Sequence, residues 1–204
     1  MGAGGAIMLT AIILAAGYSR RMGKNKLLLK HRGKSMIEHT IETILLCGFS
    51  EVILVAREEE IIEIGSRNGL KVIKNENAVK GISESIKLGV VQAEGTEGYM
   101  FFTADQPFLD SDTIKGLTKK FTENSAYIIV PRCDGKRGSP VIFPYIFKKD
   151  FLKLEGDVGG KVIINKNLDK VKFLEIEDIT KLVDIDTNEN HENILKLERD
   201  DKYV

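Results

Sequence analysis

The sequence has few cysteines, no net charge and no long apolar run, and each absence excludes a class of protein. Its two cysteines, Cys47 and Cys133, form no Cys-x-x-Cys pair, so neither a disulfide framework nor a zinc site is predicted and a reducing compartment fits. Lys plus Arg equals Asp plus Glu at 30 each, which disfavours binding to nucleic acid. No apolar run is long enough to span a membrane or to act as a signal peptide. We therefore expect a cytoplasmic protein.

Helix-like and strand-like segments alternate along most of the chain, which is typical of an α/β fold. Leu9 to Leu14 is a continuous apolar run that fits a strand buried on both faces of a parallel sheet. Ala126 to Val130 and Ser139 to Phe143 flank a turn-rich cluster and resemble a β-hairpin. We therefore predict a Rossmann-like, mostly parallel sheet with helices on both faces and a β-hairpin insertion. With 204 residues, 43% of them hydrophobic, residues 8–204 form one predicted domain, and residues 1–7 read as a disordered extension or an expression remnant.

The ends of three predicted strands are the expected location of a ligand site. Right-handed βαβ connections bring strand-to-helix loops together at the carboxyl edge of a sheet, where open α/β folds bind ligands. A short strand is predicted at Lys71 to Lys74. The loops after Leu14, Lys74 and Thr103 should therefore converge, although they lie far apart in sequence.

The first of these loops, Ala15 to Lys26, is basic and contains glycines. Gly17 and Gly23 let backbone N–H groups approach an anion. Four side chains supply positive charge: Arg20, Arg21, Lys24 and Lys26. The loop is not a Walker A motif, because five residues separate its glycines where that motif has four, and it is not the dinucleotide Gly-x-Gly-x-x-Gly. A phosphate site is the prediction, and a solvated basic turn is the alternative.

Asp105 is the second candidate, because it follows the apolar segment Tyr99 to Thr103 and precedes Pro107. Its carboxylate should lie at the ligand edge of the sheet. Mg²⁺ prefers oxygen ligands and needs only one or two carboxylates when phosphates complete its coordination. We therefore predict that Asp105 binds Mg²⁺. The alternative is that Asp105 caps the following helix, but Asp110 and Ser111 are better placed to do so.

The remaining polar segments are less specific. Ser35 is predicted to cap a helix, with Glu38 three residues on as a capping box. Ser83, within Gly81–Ser85, is predicted to cap another helix, and the two hydroxyls of Ser83 and Ser85 also suit a base or ribose. Arg137–Pro140 fits a simple hairpin turn as well as a binding loop. Asp157 and Asp186 fit helix caps as well as functional roles. The three histidines form no ligand cluster, and none is assigned a catalytic role.

Taken together, these motifs make the chain resemble the MobA-like nucleotidyltransferases, and within them the molybdenum cofactor cytidylyltransferases, over nearly its whole length after Met8. The resemblance rests on the signature loop from Leu14 to Gly23 with Lys26, and on Asp105-Gln106-Pro107. Three later segments also match: Gly138–Pro140, Gly156–Gly160 and Asp184–Thr187. The family implies a fold of the nucleotide-diphospho-sugar transferase type.

The resemblance also implies a role for each matching position. Nucleotide binding would involve Ala15, Ala16, Gly17, Lys26, Asn75, Gly81 and Ser83. The implied catalytic residues, which hold the triphosphate and the metal, are Arg21, Lys26 and Asp105. Mg²⁺ is the implied cofactor, with Asp105 and Asp186 as ligands. The second substrate would face Arg137, Gly138, Pro140, Gly156, Asp157, Gly159 and Gly160.

The implied reaction transfers CMP from CTP to the terminal phosphate of molybdopterin or molybdenum cofactor and releases pyrophosphate. CTP is favoured over GTP because the guanylyltransferase branch has a glycine where this chain has Ala16, and because a Gly-x-Pro follows Arg137. A molybdoenzyme is the implied recipient of the product, and no nucleic acid or membrane partner is expected. The alternatives are GTP as donor, a sugar or alcohol phosphate as acceptor, and a non-catalytic nucleotide-binding protein that delivers the cofactor.

Overall fold

A computed structural model of the protein describes residues 8–18, 25–31 and 33–184. The strands are β1 Leu9–Ala15, β2 Lys30–His31, β3 Lys34–Ser35, β4 Glu51–Ala56, β5 Lys71–Lys74, β6 Gly98–Thr103, β7 Ile128–Cys133, β8 Lys136–Arg137, β9 Val141–Pro144 and β10 Val171–Glu175. The α-helices are α1 Met36–Leu45, α2 Glu59–Arg67, α3 Ile82–Gln92, α4 Ser111–Thr122, α5 Lys148–Leu152 and α6 Lys161–Lys166. None of the helices in these ranges has the length and hydropathy to cross a bilayer.

The main sheet is mostly parallel and is centred on β1. Its order is β10-β7-β9-β6-β1-β4-β5, with β8 paired to β7 outside this path. β1 pairs in parallel with β4 and β6, β4 with β5, and β7 with β10, whereas β9 runs antiparallel to both of its neighbours. The chain leaves β1 toward β4 on one side and returns to β6 on the other. Strand order therefore reverses at β1, which is where open α/β sheets bind ligands.

Both faces of this sheet are covered, because β1 buries alternate side chains in opposite directions. Ile13 packs with the apolar residues of α1, α2 and α4, whereas Ile12 packs with those of α3, α5 and α6. On α1, the residues at helical spacing, Ile37, Ile41 and Ile44, are fully buried. The expected α/β class, with a mostly parallel sheet and helices on both faces, is confirmed.

The predicted hairpin is present and turns within the expected cluster, but the strand that pairs with β7 across the turn is β8 and not the predicted segment Ser139 to Phe143. β7 turns at Asp134-Gly135 into β8, and both turn residues have positive φ angles, 47° and 77°. An Asp-Gly pair favours this two-residue turn. The chain then enters β9, which lies between β6 and β7, and only Ile129 opposite Ile142 pairs β7 with β9. The insertion is thus a short hairpin followed by an antiparallel strand within the main sheet.

Of the two caps predicted from serine, one is confirmed and one is wrong. At α1, the Glu38 carboxylate accepts hydrogen bonds from the Ser35 backbone N–H at 2.8 Å and from the Ser35 hydroxyl at 2.6 Å. α3 begins at Ile82, and its N-cap is Gly81 with φ 109°, so Ser83 lies in the first turn and not at the cap. Glycine adopts this backbone conformation without strain, whereas a serine does not.

Candidate active site

A cleft of about 800 Å³ opens at the carboxyl ends of β1 and β6. Its walls come from residues 16–18 after β1, residues 78–82 at the start of α3, and residues 103–105 after β6. The predicted convergence of the three strand-to-helix loops is therefore confirmed. Small-molecule sites usually have volumes of roughly 300–1,000 Å³, so the cleft is large enough for a nucleotide.

Lys26 and Asp105 form an ion pair in this cleft, with Lys26 Nζ 2.5 Å from Asp105 Oδ2. Lys26 starts the 3-10 turn Lys26–Leu28, in which Asn25 Oδ1 accepts a hydrogen bond from the Leu27 N–H at 3.0 Å. The Leu27 side chain is buried, so the turn is anchored while the ammonium group reaches the carboxylate. The two side chains are only 20% and 13% exposed, and their attraction is therefore less screened than that of a surface pair.

Asp105 retains one carboxylate oxygen for another ligand. Its Oδ1 is buried and accepts no hydrogen bond from the residues that the structure describes. Buried carboxylate oxygens are normally satisfied, so this atom fits a hard cation such as Mg²⁺ or Mn²⁺. Within residues 8–18, 25–31 and 33–184, no three His, Cys, Asp or Glu side chains gather as a ligand group. A metal at Asp105 would thus need phosphate oxygens, water or further residues to complete its coordination.

Asp110, and not Asp105, caps the helix that follows β6. Asp110 accepts a hydrogen bond from the Thr113 N–H at 2.8 Å and pairs with Lys181 at 2.7 Å. Burial raises the pKa of Asp110, but the hydrogen bonds from Lys181 and Thr113 outweigh it, and the net pKa lies below the usual value. The alternative role of Asp105 as a cap is excluded, which leaves its carboxylate for the cleft.

The first predicted binding segment lies where β1 meets the cleft. Ala15 is the last residue of β1 and belongs to the core, whereas Ala16 and Gly17 line the cleft. A Cβ atom on Gly17 would meet nothing within 4 Å, so the space beside its backbone is open to a ligand. Tyr18 also lines the cleft, and the Arg57 guanidinium carbon lies 4.2 Å from the centre of its ring. Nothing local in the sequence links Arg57, which follows β4, to this loop.

The predicted segments around Gly81 and Gly156 are in direct contact. A Cβ atom on Gly81 would lie 2.3 Å from the backbone C and O of Gly156, closer than any side chain can approach. The Ser83 N–H donates to Gly156 O at 3.3 Å, and the Ile82 N–H donates to Asp157 Oδ1 at 3.4 Å. Asp157 therefore caps α3 from a distant segment. This contact places the Gly156 segment beside the nucleotide-sized cleft.

Asn75 is fully buried and does not line the cleft, but it orients Ser85, which does. Asn75 Nδ2 donates to Ser85 Oγ at 2.9 Å, and Asn75 Oδ1 accepts from the Asn77 N–H at 2.9 Å. Because the Ser85 oxygen already accepts one hydrogen bond, its O–H can donate into the cleft. Ser83 is fully buried, and its hydroxyl has no partner in the described part of the chain. The sequence predicts that the hydroxyls of Ser83 and Ser85 suit a base or ribose, and of these two residues Ser85 is the one that lines the cleft.

A second compartment of about 660 Å³ adjoins the cleft and shares Leu14, Ile82 and Thr103 with it. Its floor is apolar and largely aromatic, formed by Phe101, Val130, Val141, Phe143 and Phe151. Its exposed rim is basic, with Lys136, Arg137 and Lys161. An apolar floor beneath cationic side chains suits a ligand with a flat or apolar body and an anionic group.

The residues predicted to face a second substrate divide between the two compartments. Four of them line the second compartment: Arg137, Gly138, Gly159 and Gly160. Asp157 lines the first cleft, whereas Pro140 is buried behind a cis Ser139-Pro140 peptide bond and Gly156 contacts α3. A Cβ atom on Gly138 would lie 2.9 Å from the Leu182 side chain, so this glycine allows close packing at the compartment edge.

Two predicted residues, Arg21 and Asp186, lie outside the residues that the structure describes. Asp184, two positions before Asp186, lines the second compartment and accepts a hydrogen bond from Thr103 Oγ1 at 3.4 Å. Neither cysteine lines a compartment: Cys47 and Cys133 are free thiols, and burial raises the pKa of both. A protonated thiol is a poor nucleophile, so neither cysteine is a candidate for nucleophilic catalysis.

Both the sequence and the fold match known proteins. A family model described as the MobA-like NTP transferase domain matches residues 11–171. The purine catabolism protein PucB of Bacillus subtilis is 32% identical, over 91% of this chain and 95% of its own. A probable molybdenum cofactor guanylyltransferase of Natranaerobius thermophilus is 29% identical, over 83% of this chain and 82% of its own.

Among solved structures, Rv0371c of Mycobacterium tuberculosis matches with a TM-score of 0.80 at 22% identity, over 93% of this chain and 98% of that one. A crystal structure of the same protein in complex with manganese matches with a TM-score of 0.79 at 21% identity, over the same shares. At this level of identity the likeness establishes the fold, and it agrees with the fold type implied by the sequence. Because the family match covers most of the chain, the chain belongs to the MobA-like NTP transferase family: it is a nucleotidyltransferase, and its donor substrate is a nucleoside triphosphate.

Proposed function

We propose that the protein transfers CMP from CTP to the terminal phosphate of molybdopterin or molybdenum cofactor, with release of pyrophosphate. Residues 8–204 would act as one catalytic domain, and a molybdoenzyme would receive the product. The observation that carries the choice of CTP is that Ala16 lines the cleft, at a position where the guanylyltransferases that the sequence resembles have a glycine. The methyl group would reduce the space for a purine more than for a pyrimidine, and such small differences in pocket volume discriminate between ligands.

On the donor side, the backbone of Ala15, Ala16 and Gly17 would hold the base. The Ser85 hydroxyl, oriented by Asn75, would donate to a carbonyl oxygen of the base or to the ribose. Gly81 and Ser83 would act through the backbone, since Gly81 lines the cleft and the Ser83 N–H holds the Gly156 carbonyl beside it.

Lys26 and Arg21 would hold the triphosphate, while Asp105, with Asp186, would hold Mg²⁺. The buried Oδ1 of Asp105 supports the metal assignment, as does the manganese complex of Rv0371c. Bound Mg²⁺ would offset negative charge on the phosphate oxygens. An incoming triphosphate would compete with Asp105 for the Lys26 ammonium. If the ammonium moved from Asp105 to a phosphate, Asp105 Oδ2 would also become available to the metal.

The transfer itself is an in-line displacement at the α-phosphorus. An oxygen of the acceptor phosphate bonds to that phosphorus, the bond to the bridging oxygen of the β-phosphate breaks, and pyrophosphate leaves with the electron pair. A phosphate nucleophile is already ionised near neutral pH, so no strong general base is needed. In keeping with this, the described residues that line the two compartments include no histidine. The protein would contribute positioning and electrostatic stabilisation.

The second compartment would bind the acceptor. Its aromatic floor supports a planar pterin body, and the basic rim around Arg137 supports the acceptor phosphate. Gly138, Gly159 and Gly160 would let the ligand approach the backbone, while Pro140, Gly156 and Asp157 would fix the loops around it.

GTP is the second candidate donor, because a relative named as a molybdenum cofactor guanylyltransferase is 29% identical to this chain. Calorimetry with CTP, GTP and ATP in Mg²⁺ buffer separates the candidates, and we expect CTP to bind tightest. The Ala16→Gly variant should shift the affinity ratio toward GTP, whereas Ala126→Gly, at an exposed site, should not. Tightest binding of GTP by the wild-type chain would contradict the proposed donor.

Turnover with purified acceptors tests the second half of the proposal. We expect pyrophosphate release when CTP and molybdopterin or molybdenum cofactor are both present. Turnover with a sugar phosphate and none with molybdopterin would contradict the proposed acceptor while leaving the nucleotidyltransferase activity intact.

A further inference from the structure

Gln106 joins the donor cleft to three points of the second compartment. It follows Asp105 directly, and the residue is only 4% exposed. Its Nε2 donates to Ser139 Oγ at 3.0 Å and to the backbone carbonyls of Ser139 at 3.3 Å and Leu182 at 3.4 Å. Both Ser139 and Leu182 line the second compartment. One buried amide thus connects the Asp105 loop with two chain segments that lie 33 and 76 residues further on.

The two connected segments are tied to β6 by contacts that stop short of Asp105. Ser139 lies two residues before Val141, which pairs with Phe101 of β6. Leu182 lies two residues before Asp184, which accepts a hydrogen bond from Thr103 Oγ1 at 3.4 Å. The hydrogen bonds of Gln106 continue these contacts into the loop that carries Asp105, and they help to set the distance between Asp105 and the wall formed by Ser139 and Leu182.

Stability alone is a poor account of an amide at this position. Gln106 Oε1 is buried and has no hydrogen-bond partner among the described residues. An unsatisfied buried acceptor opposes folding, which offsets the gain from the hydrogen bonds of Nε2. A methionine has nearly the same length and no polar oxygen, so it should fill the site at little net change in stability.

We infer that Gln106 is a positioning residue for nucleotidyl transfer: its buried amide sets the acceptor compartment at the correct distance from Asp105. This inference rests on the proposed function of the two compartments. A displacement of about 1 Å between reacting groups lowers rates by up to roughly a hundredfold, so loss of the amide should act on transfer and not on nucleotide binding.

The test compares Gln106→Met with the wild-type chain, and Gln92→Met at the exposed end of α3 is the matched control. We expect kcat/KM for the acceptor to fall about tenfold or more, with the Kd for CTP within about twofold and the thermal midpoint within a few degrees. Ser139→Ala removes the 3.0 Å contact alone and should cause a smaller loss, and the double variant should be no worse than Gln106→Met. Unchanged acceptor kinetics in Gln106→Met, or equal losses in CTP and acceptor binding, would overturn the inference.

Hydrogen–deuterium exchange supplies a readout that needs no turnover. In Gln106→Met we expect faster exchange in residues 136–144 and 178–184 and unchanged exchange in residues 9–15. The wild-type chain could be inactive with every acceptor while Gln106→Met still shows this change in exchange. In that case the proposed function would fail, but the connection through Gln106 would stand. Equal exchange in the variant and the wild type would overturn the connection whatever the activity.

Discussion

The first cleft and the second compartment lie side by side on one sheet, yet they are built differently. By their proposed ligands we call them the donor cleft and the acceptor compartment. The donor cleft is walled by short loops that follow parallel strands, and its polar contacts include the Lys26–Asp105 pair and the Asn75–Ser85 hydrogen bond. The acceptor compartment is lined largely by the hairpin, β9 and residues 159–184, and its floor is aromatic. The donor side thus uses positions common to open α/β sheets, whereas the acceptor side depends on an insertion.

This difference indicates that substitutions in the two compartments should have different consequences. On the donor side, single polar groups would act on the triphosphate, and their substitution should change the transfer rate or the nucleotide affinity with little effect on folding. On the acceptor side, packing sets the shape of the compartment, and its residues should change stability or acceptor use. The following variants test this difference between the two compartments.

The largest expected effect is that of Asp105→Asn. Loss of the carboxylate charge removes the proposed metal ligand, and transfer should slow by about a hundredfold or more, as for removal of other groups that stabilise charge in a transition state. Initial rates of pyrophosphate release measure the rate of transfer. Asp112→Asn, an exposed carboxylate on α4, should keep wild-type rates. A wild-type rate in Asp105→Asn would show that the metal assignment is wrong.

Gly81→Ala should have the next largest effect, because it disrupts the contact between the start of α3 and the Gly156 segment. The new Cβ would lie 2.3 Å from the Gly156 backbone, at a φ of 109°. We expect the free energy of unfolding to fall by more than about 2 kcal/mol in denaturant titrations. Gly69→Ala separates clash from backbone strain, since Gly69 has φ 74° and open space around it, and it should cost about 1–2 kcal/mol. Equal losses in both variants would mean that the contact with Gly156 contributes nothing.

Lys26→Met tests whether the lysine competes with a metal for Asp105. Without its ammonium group, Asp105 should bind Mn²⁺ more tightly in the absence of nucleotide, while affinity for CTP should fall about tenfold, the loss of one charge-assisted contact. Electron paramagnetic resonance of free Mn²⁺ and calorimetry with CTP measure the two effects. Lys30→Met, at an exposed site on β2, is the control. Weaker Mn²⁺ binding in Lys26→Met would contradict the competition.

Ser85→Ala should have a smaller effect that is confined to the donor side. Removal of the hydroxyl that Asn75 orients should weaken CTP binding about fivefold, the usual value of one neutral hydrogen bond, and leave KM for the acceptor unchanged. Ser66→Ala on the exposed face of α2 should bind CTP as the wild type does. A change in KM for the acceptor without a change in CTP affinity would contradict the assignment of Ser85 to the donor cleft.

The smallest effect is expected for Tyr99→Phe beneath the acceptor floor. The Tyr99 ring packs edge-on against Phe151, its hydroxyl is buried without a partner among the described residues, and burial raises its pKa. Removal of this hydroxyl should stabilise the chain by about 1 kcal/mol in thermal or denaturant unfolding and leave both KM values unchanged. A loss of stability would show that the hydroxyl has a partner, such as buried water.

The sequence predicted the parts of the fold that local chemistry determines. β5 lies at the expected residues Lys71–Lys74. The Ser35–Glu38 interaction caps the N-terminus of α1, and Asp110 caps the N-terminus of α4. The convergence of Asp105 with the Lys26 loop followed from the handedness of βαβ connections and needed no contact information.

What sequence reasoning missed depends on contacts between distant segments. Ser83 is a good capping residue, but the approach of the Gly156 backbone requires a glycine with positive φ at the cap, and Gly81 takes that position. Likewise, only the fold shows that Gln106 meets Ser139 and Leu182, because no local pattern joins residues so far apart. The place of β9 between β6 and β7 is also a matter of tertiary packing.

We propose that the two compartments bring the α-phosphorus of the donor and the phosphate of the acceptor together. The most direct measurement is single-turnover transfer from CTP labelled at the α-phosphate to molybdopterin or molybdenum cofactor in Mg²⁺ buffer, with pyrophosphate followed in parallel. We expect the label to appear on the acceptor in an amount equal to the pyrophosphate released, and we expect Asp105→Asn to suppress both the labelling of the acceptor and the release of pyrophosphate. Label that stays on CTP, or that appears only as free CMP whether or not acceptor is present, would contradict it.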